Sequence, residues 1–326
     1  MDVLIINEEE VKANLQMKDC IRLLEEAHRL LANDQAHQPL RLAMFPPMVN
    51  GILATMPAYI GGDNPIMGLK VVTVFPDNHK KGIESHQASI LLQEADTGRT
   101  KAIIDGTEIT AQRTAAASAI ATKYLARKEA SKLVLVGTGV QAHTHLRAIS
   151  EVRHIKEVHI WNRTLSKAEK FAETYKDRFS ITVHNELADA VRSADIICTL
   201  THAKEPIIKA KWVQPGTHIN AVGSSTANTR ELETELVVKA SIFTDVEESA
   251  LNEAGDIIIP IQEGKLQEMP IHANLGELIN GTHQGRSSDN EITLYKSLGV
   301  GIQDIVTANF LANIAQERGF GTTIQM

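Results

Sequence analysis

The spacing of apolar residues changes character along the chain, and each change predicts a different kind of element. Residues 1–6 carry the run VLII, short and β-branched, which predicts a strand. Asn7 is placed to cap a helix that opens with Glu8, Glu9 and Glu10, because carboxylates suit a helix N-terminus. From Met17 to Ala32 the apolar residues Ile21, Leu24, Ala27 and Leu31 recur at helical spacing and predict an amphipathic helix. Between 40 and 110 the runs LRLAMF, GILATMPAYI, MGLKVVTVF, QASILLQEAD and TKAIIDG read as strands, punctuated by Gly, Pro, Asn and Asp. Asp96-Thr97-Gly98 is a hairpin turn signal, so this stretch predicts a mostly antiparallel unit.

An Ala-rich segment from Ile109 to Leu125 predicts a helix, and strand–helix alternation follows. Strands are expected at 133–136, 157–161, 180–183, 194–198, 218–222 and 241–244, with helices between most of them. That alternation calls for a parallel sheet with right-handed crossovers. ITLYKSLG reads as a strand entering a turn, and a helix from Gln303 to Glu317 closes the pattern. The expected fold class is α/β: a Rossmann-type dinucleotide-binding domain over 116–302 beside a discontinuous α+β substrate-binding domain. If the last helix returns to the N-terminal unit, that second domain comprises 1–115 and 303–326.

Composition narrows the class. The chain has 326 residues, enough for two domains, and 43% hydrophobic with 22% charged residues is ordinary for a globular protein. A formal net charge of −7 argues against nucleic-acid binding through a basic surface. The opening MDVLIINEEEVKANLQ lacks the pattern of a leader peptide, and no run is long enough to span a bilayer, so no membrane partner is expected. Two cysteines in unrelated contexts, Cys20 and Cys198, suit a reducing cytoplasm rather than a disulfide scaffold.

The most informative stretch is Lys132 to Arg147. A buried strand, Leu133–Val136, runs into Gly137-Thr138-Gly139, then Val140, Gln141 and Ala142 open a helix. In this Gly-x-Gly-x-x-Ala pattern Gly137 permits the turn and Gly139 admits the backbone to a pyrophosphate. Ala142 lets helix and strand pack closely, and the helix N–H groups face the phosphates. A tight turn without a ligand would look similar, but the next strand ends where the adenosine ribose is met in such folds. There the chain offers Asn162, Arg163, Thr164 and, a turn later, Lys167, and no acid. Cationic and hydrogen-bonding groups suit a 2′-phosphate, so NADPH is expected, with NADH as the alternative.

Three cations lie in apolar or small-residue segments: Arg41 in LRLAMF, Lys70 in GLKVVTVF and Arg113 in ITAQRTAAAS. Burying such groups is costly without a partner. A substrate carboxylate, a structural acid or an escape to solvent would each satisfy them. His86 reads as a turn histidine or a pocket residue. The 13 histidines include no HExxH, and His143 and His145 do not share a helix face, so no metal site is expected. No Gly-x-Ser-x-Gly supports a hydrolase.

Taken together, MPAY at Met56, GLKVV, SHQASILLQEADTG, AIIDGTEITAQRTAAASA, VGTGVQA, HIWNRT, INAVGSS and SLGVGIQD resemble the ornithine cyclodeaminase/mu-crystallin family over nearly the whole chain. The resemblance implies a dimerising substrate domain and a dinucleotide domain. It implies that Arg41, Lys70 and Arg113 hold the substrate's carboxylate and reacting end. It also implies that Val222, Gly223 and Leu298 line the nicotinamide. One departure matters. Cyclodeaminases and the similar archaeal alanine dehydrogenases carry an Asp where this chain has Ser225, and a serine cannot act as a carboxylate base. Ser225 and the Asn162-Arg163-Thr164 turn resemble the ketimine-reductase branch. The expectation is NADPH-dependent reduction of a cyclic ketimine acid in a cytoplasmic homodimer, with Lys70 and Ser225 at the reacting end. Amino-acid deamination of the ornithine cyclodeaminase or alanine dehydrogenase type, or a non-catalytic NADPH- or small-molecule-binding protein, is the alternative. Asp304 is expected to be a charge on a helix surface rather than a pocket acid.

Overall fold

In the computed structural model, residues 2–326 are described, except the side chain of His79; residue 1 of the first expected strand lies outside them. The chain forms two compact units, one of residues 1–113 with 299–326 and one of residues 114–298.

The first unit begins with β1 (Asp2–Ile6), α1 (Glu8–Asn14) and α2 (Met17–Ala32). Asn7 Oδ1 accepts from Glu10 N at 3.0 Å while Glu10 accepts from Asn7 N at 2.9 Å, a reciprocal cap. Next come β2 (Ala36–His37), β3 (Leu42–Met44), β4 (Ile52–Ile60), β5 (Ile66–Val74), β6 (His86–Glu94) and β7 (Thr100–Asp105). The expected strand LRLAMF shrinks to β3, whose three residues are all exposed; Arg41 precedes it. Gly98, at φ +70°, turns β6 into β7, a conformation that favours glycine. Helix α3 (Thr107–Leu125) follows.

The second unit continues with β8 (Lys132–Val136), α4 (Val140–Val152), β9 (Glu157–Trp161), α5 (Leu165–Tyr175), β10 (Ile181–His184), α6 (Leu187–Arg192) and β11 (Ile196–Thr199). Then come β12 (His218–Ala221), α7 (Thr234–Lys239), β13 (Ser241–Thr244), α8 (Glu247–Glu253), α9 (Gly255–Gln262), β14 (Ile271–Asn274), α10 (Leu275–Asn280) and β15 (Thr293–Lys296). The chain ends in the first unit with α11 (Gly301–Arg318) and β16 (Thr322–Gln325). Neither β14 nor β16 was anticipated. IHAN and TTIQ are too short and polar to show a period, and sheet pairing alone makes them strands.

In the second unit the sheet order is β10-β9-β8-β11-β12-β15-β13-β14, all parallel. Leu133 to Val136 of β8 and Ile196 to Thr199 of β11 are buried throughout, as helices on both faces require. The order reverses at β8, so the loop after β8 opens at a topological switch point, where ligands of such folds bind.

In the first unit the order is β16-β1-β7-β6-β5-β4-β2, with β3 beside β4. Helix α11 packs on β4, β5 and β6, with α2 beside it. Alternation sends Ala54, Met56 and Ala58 of β4, and Gly68, Lys70 and Val72 of β5, to the buried face. A Cβ at Gly68 would lie 2.7 Å from Ile305 Cδ1, so glycine there lets α11 come close to β5. The other face carries Leu53, Pro57, Met67, Leu69, Val71 and Leu91, all partly exposed.

Candidate active site

Of Arg41, Lys70 and Arg113, two meet on one acid. Lys70 projects from β5 towards α11, and its Nζ lies 2.8 Å from Asp304 Oδ2. Arg113 reaches from α3, and its Nε donates to Asp304 Oδ1 at 3.0 Å. Lys70, Arg113 and Asp304 are 1%, 5% and 0% exposed. Arg113 Nη1 also donates to Gln303 Oε1 at 3.4 Å, and Gln303 Nε2 lies 3.0 Å from His28 Nε2. Arg41 is half-buried and donates from Nη2 to the Gly299 carbonyl at 3.2 Å. Gly299 sits at φ +73°, and a Cβ there would strike the Arg113 guanidinium at 1.9 Å. Glycine at 299 therefore permits the arginine's position.

Asp304 is thus not a surface charge: the first turn of α11 faces the sheet, and residues 301–305 are all buried. Nothing in the local pattern marks it, because a single acid at the head of a helix is equally compatible with water. Burial pushes the Lys70 ammonium down to about 7; the positive charges of Arg113 and Arg41 push the same way, and Asp304 opposes them. Two buried cations sharing one carboxylate leave an excess of positive charge that could accept a further anion, and a lysine near neutrality can hold or release a proton.

In the second unit, Gly137 takes φ +115°, and a Cβ would lie 2.8 Å from the Leu200 carbonyl. Gly139 is the N-cap of α4, with φ −76°, and a Cβ there would point into open space. No side chain caps α4 and no acid stands in its first turn. Ala142 is fully buried against the sheet. The N–H groups beside Thr138, Val140 and Gln141 are therefore open to an anion, and the residues fit a dinucleotide pyrophosphate. Beyond β9, Asn162 Nδ2 donates to the Thr164 carbonyl at 3.0 Å, and Arg163 and Lys167 are exposed. Val222 and Gly223 follow β12, and Leu298 follows β15, both at carboxyl ends of strands. Ser225 lies exposed on the loop after β12.

His86 is exposed, with its Nδ1 3.0 Å from Ser85 Oγ. His143 meets Tyr175 OH at 3.0 Å, while His145 meets the Gln141 carbonyl and Ser118 Oγ. Among the described residues no group of three or more His, Cys, Asp or Glu could hold a metal ion, and no helix is long and apolar enough to cross a membrane.

A family model described as ornithine cyclodeaminase/mu-crystallin matches residues 1–319. The chain belongs to that family. A Delta(1)-pyrroline-2-carboxylate reductase of Bacillus cereus is 37% identical over 328 residues, covering 99% of this chain and 100% of that one. The structure of the Thermococcus litoralis Delta(1)-pyrroline-2-carboxylate reductase, in complex with NADH and L-proline, superposes with a TM-score of 0.96 at 41% identity, covering 99% of this chain and all of that one. An archaeal alanine dehydrogenase dimer with bound NAD gives a TM-score of 0.95 at 36% identity, covering each chain fully.

Proposed function

We propose that this chain is an NADPH-dependent reductase of a cyclic ketimine acid, 1-pyrroline-2-carboxylate or 1-piperideine-2-carboxylate, giving L-proline or L-pipecolate. The observation that carries the reading is the buried Lys70–Asp304–Arg113 cluster with Arg41 nearby, where two cations share one carboxylate. Arg113 and Arg41 grip the substrate carboxylate and so align the neighbouring imine carbon. Lys70 sits at the reacting end, where it fixes the carboxylate and exchanges a proton at Nζ near neutral pH. Ser225 hydrogen-bonds the imine nitrogen. The reduced nicotinamide, when bound, supplies the hydride that the imine carbon accepts. The imine is reduced in its protonated form, and the pair of the opened C=N π bond stays on nitrogen as the amine's lone pair. The names of the Bacillus and Thermococcus relatives support this substrate class.

Gly137, Thr138, Gly139, Val140 and Gln141 would hold the pyrophosphate, with Val222, Gly223 and Leu298 towards the nicotinamide. Exposed Arg163 and Lys167, with Asn162 and Thr164, support a 2′-phosphate and hence NADPH over NADH. The half-exposed apolar face of the first unit's sheet supports a homodimer, as does the archaeal relative described as a dimer. Two buried free thiols, Cys20 and Cys198, suit a cytoplasmic enzyme.

The deciding experiment follows NADPH oxidation by the purified protein with freshly prepared 1-pyrroline-2-carboxylate, and with pyruvate plus ammonia alongside. Turnover of the cyclic imine alone is expected. Turnover of pyruvate and ammonia alone would instead make the protein an alanine dehydrogenase. NADPH binding without turnover of either would leave a binding protein.

A further inference from the structure

A second buried ionic network lies in the dinucleotide unit, and neither the pyrophosphate turn nor the ribose turn uses it. Lys296, at the end of β15, and Asp256, in α9, are both fully buried, with Nζ 2.9 Å from Oδ2. Asp256 Oδ1 accepts the N–H groups of Glu231 and Leu232 at 2.9 and 3.0 Å. Glu231, also fully buried, accepts at Oε1 from Thr201 N and Oγ1. Its Oε2 accepts from Thr199 Oγ1 at 2.7 Å and from Gly223 N at 2.9 Å. Lys296 Nζ donates in addition to the Ser224 carbonyl at 2.5 Å.

The network thus seizes the backbone at Gly223 and Ser224, the two residues immediately before Ser225. The fit is tight: a Cβ at Gly223 would lie 2.1 Å from the Thr201 carbonyl. Ser224 Oγ closes the far side on the Thr229 carbonyl at 2.5 Å. Ser225 is left exposed on a loop whose two preceding residues are hydrogen-bonded on both sides. Burying two acids and a lysine for packing alone is expensive, since apolar residues of similar volume would serve at least as well. What the charges add is direction.

We propose that Glu231, Asp256 and Lys296 are positioning residues that set the place of Ser225 by holding the Gly223 N–H and the Ser224 carbonyl. The proposal rests on the reading of Ser225 as the partner of the imine nitrogen.

The test is a double-mutant cycle in the full-length enzyme. Each oxygen of Glu231 meets both a backbone N–H and a hydroxyl, so in Glu231→Gln one backbone N–H faces an amide NH₂ whichever way the amide turns. Asp256→Asn is milder, because Oδ1 can stay on its two N–H groups while only the lysine link is cut. Both variants are expected to lower kcat for 1-pyrroline-2-carboxylate by about ten- to a hundredfold, the scale of a misplaced catalytic group, and by more than they weaken NADPH, which Gly223 also faces in this reading. In a Ser225→Ala background the same changes should cost little more, because the group they place is gone. An equal fold-loss in both backgrounds would overturn the proposal, as would an unchanged kcat with only a lower Tm. A Ser225→Ala variant as fast as the parent would defeat the reading of Ser225 itself, a separate result. Amide hydrogen exchange gives a readout independent of turnover. Exchange at Gly223 to Ser225 should quicken in Glu231→Gln while β8 and β11 stay protected, and unchanged protection would refute the clamp.

Discussion

Each unit buries a lysine against an aspartate, and the surroundings of the two pairs differ in sign. Lys70 shares Asp304 with Arg113, so two cations meet one acid, and the lysine is pushed down to about 7. Lys296 meets Asp256 beside Glu231, so two acids meet one cation, and burial with the neighbouring Asp256 charge raises the Glu231 carboxyl. In the second network each carboxylate oxygen already carries an N–H, a hydroxyl or the ammonium. It is closed upon itself, as a scaffold should be. The first is short of negative charge, which in the proposed reading a substrate carboxylate would supply. Burial alone therefore does not distinguish the two pairs; the charge balance around them does.

The largest effect should come from removing the acid that the cations share. Asp304→Ala leaves Lys70 and Arg113 buried together, and the loss expected for a broken buried pair is about 3–5 kcal/mol in denaturant unfolding. A change below about 1 kcal/mol would mean that these cations are satisfied without it. Next is Arg113→Ala, which keeps the Lys70–Asp304 contact. Imine reduction should fall about 10²–10³-fold in kcat/KM, the scale of truncating one partner of a buried charge pair. NADPH affinity should barely move, and an equal loss of both would break the division of labour between the units.

The lysine itself gives a pH test. With its folded pKa lowered to about 7 from the ordinary 10.5, Lys70 binds fewer protons in the folded than in the unfolded chain between those values. Its contribution to stability is therefore present above the unfolded pKa and lost as pH falls through about 7. Lys70→Met should lack this rise, so the parent-minus-variant difference in unfolding free energy should climb between pH 7 and 10. Parallel curves between pH 7 and 10 would show the lysine to be unperturbed.

Smaller effects separate the two glycines of the phosphate turn. Gly137→Ala places a Cβ at positive φ against the Leu200 carbonyl and should cost about 1–2 kcal/mol of stability. Gly139→Ala, at φ −76° and facing open space, should leave Tm unchanged and weaken NADPH. Equal Tm losses would show that both glycines serve the turn alone. The smallest change is expected from Arg163→Ala: about a tenfold weaker NADPH with NADH unchanged, roughly one charge-assisted hydrogen bond. A constant ratio of the two affinities would remove the 2′-phosphate role.

Much of the fold was legible because it is local. The buried run Leu133–Val136, the glycines after it and the strand–helix alternation carry their reasons within a few residues, and so does the Asn7–Glu10 cap. The cations Arg41, Lys70 and Arg113 stood out because long charged side chains in apolar segments are costly anywhere. Their partner did not stand out, and Asp304 was misread as a surface charge. The strand boundaries at β10 and β11 shifted by one or two residues, because an edge of pairing is decided by the neighbour.

By itself the sequence determined which segments are buried strands, where the chain must turn, and which cations would need an anion, since period, glycine and desolvation act over short range. Only the tertiary structure decided who answers those needs. Asp304 reaches Lys70 because Gly68 lets α11 close on β5. Glu231, Asp256 and Lys296 come from three separated segments and meet only through the order of the parallel sheet and the helices packed on it. An ion pair between distant residues leaves no periodicity behind, because its energy depends on distance in space and on the burial around it.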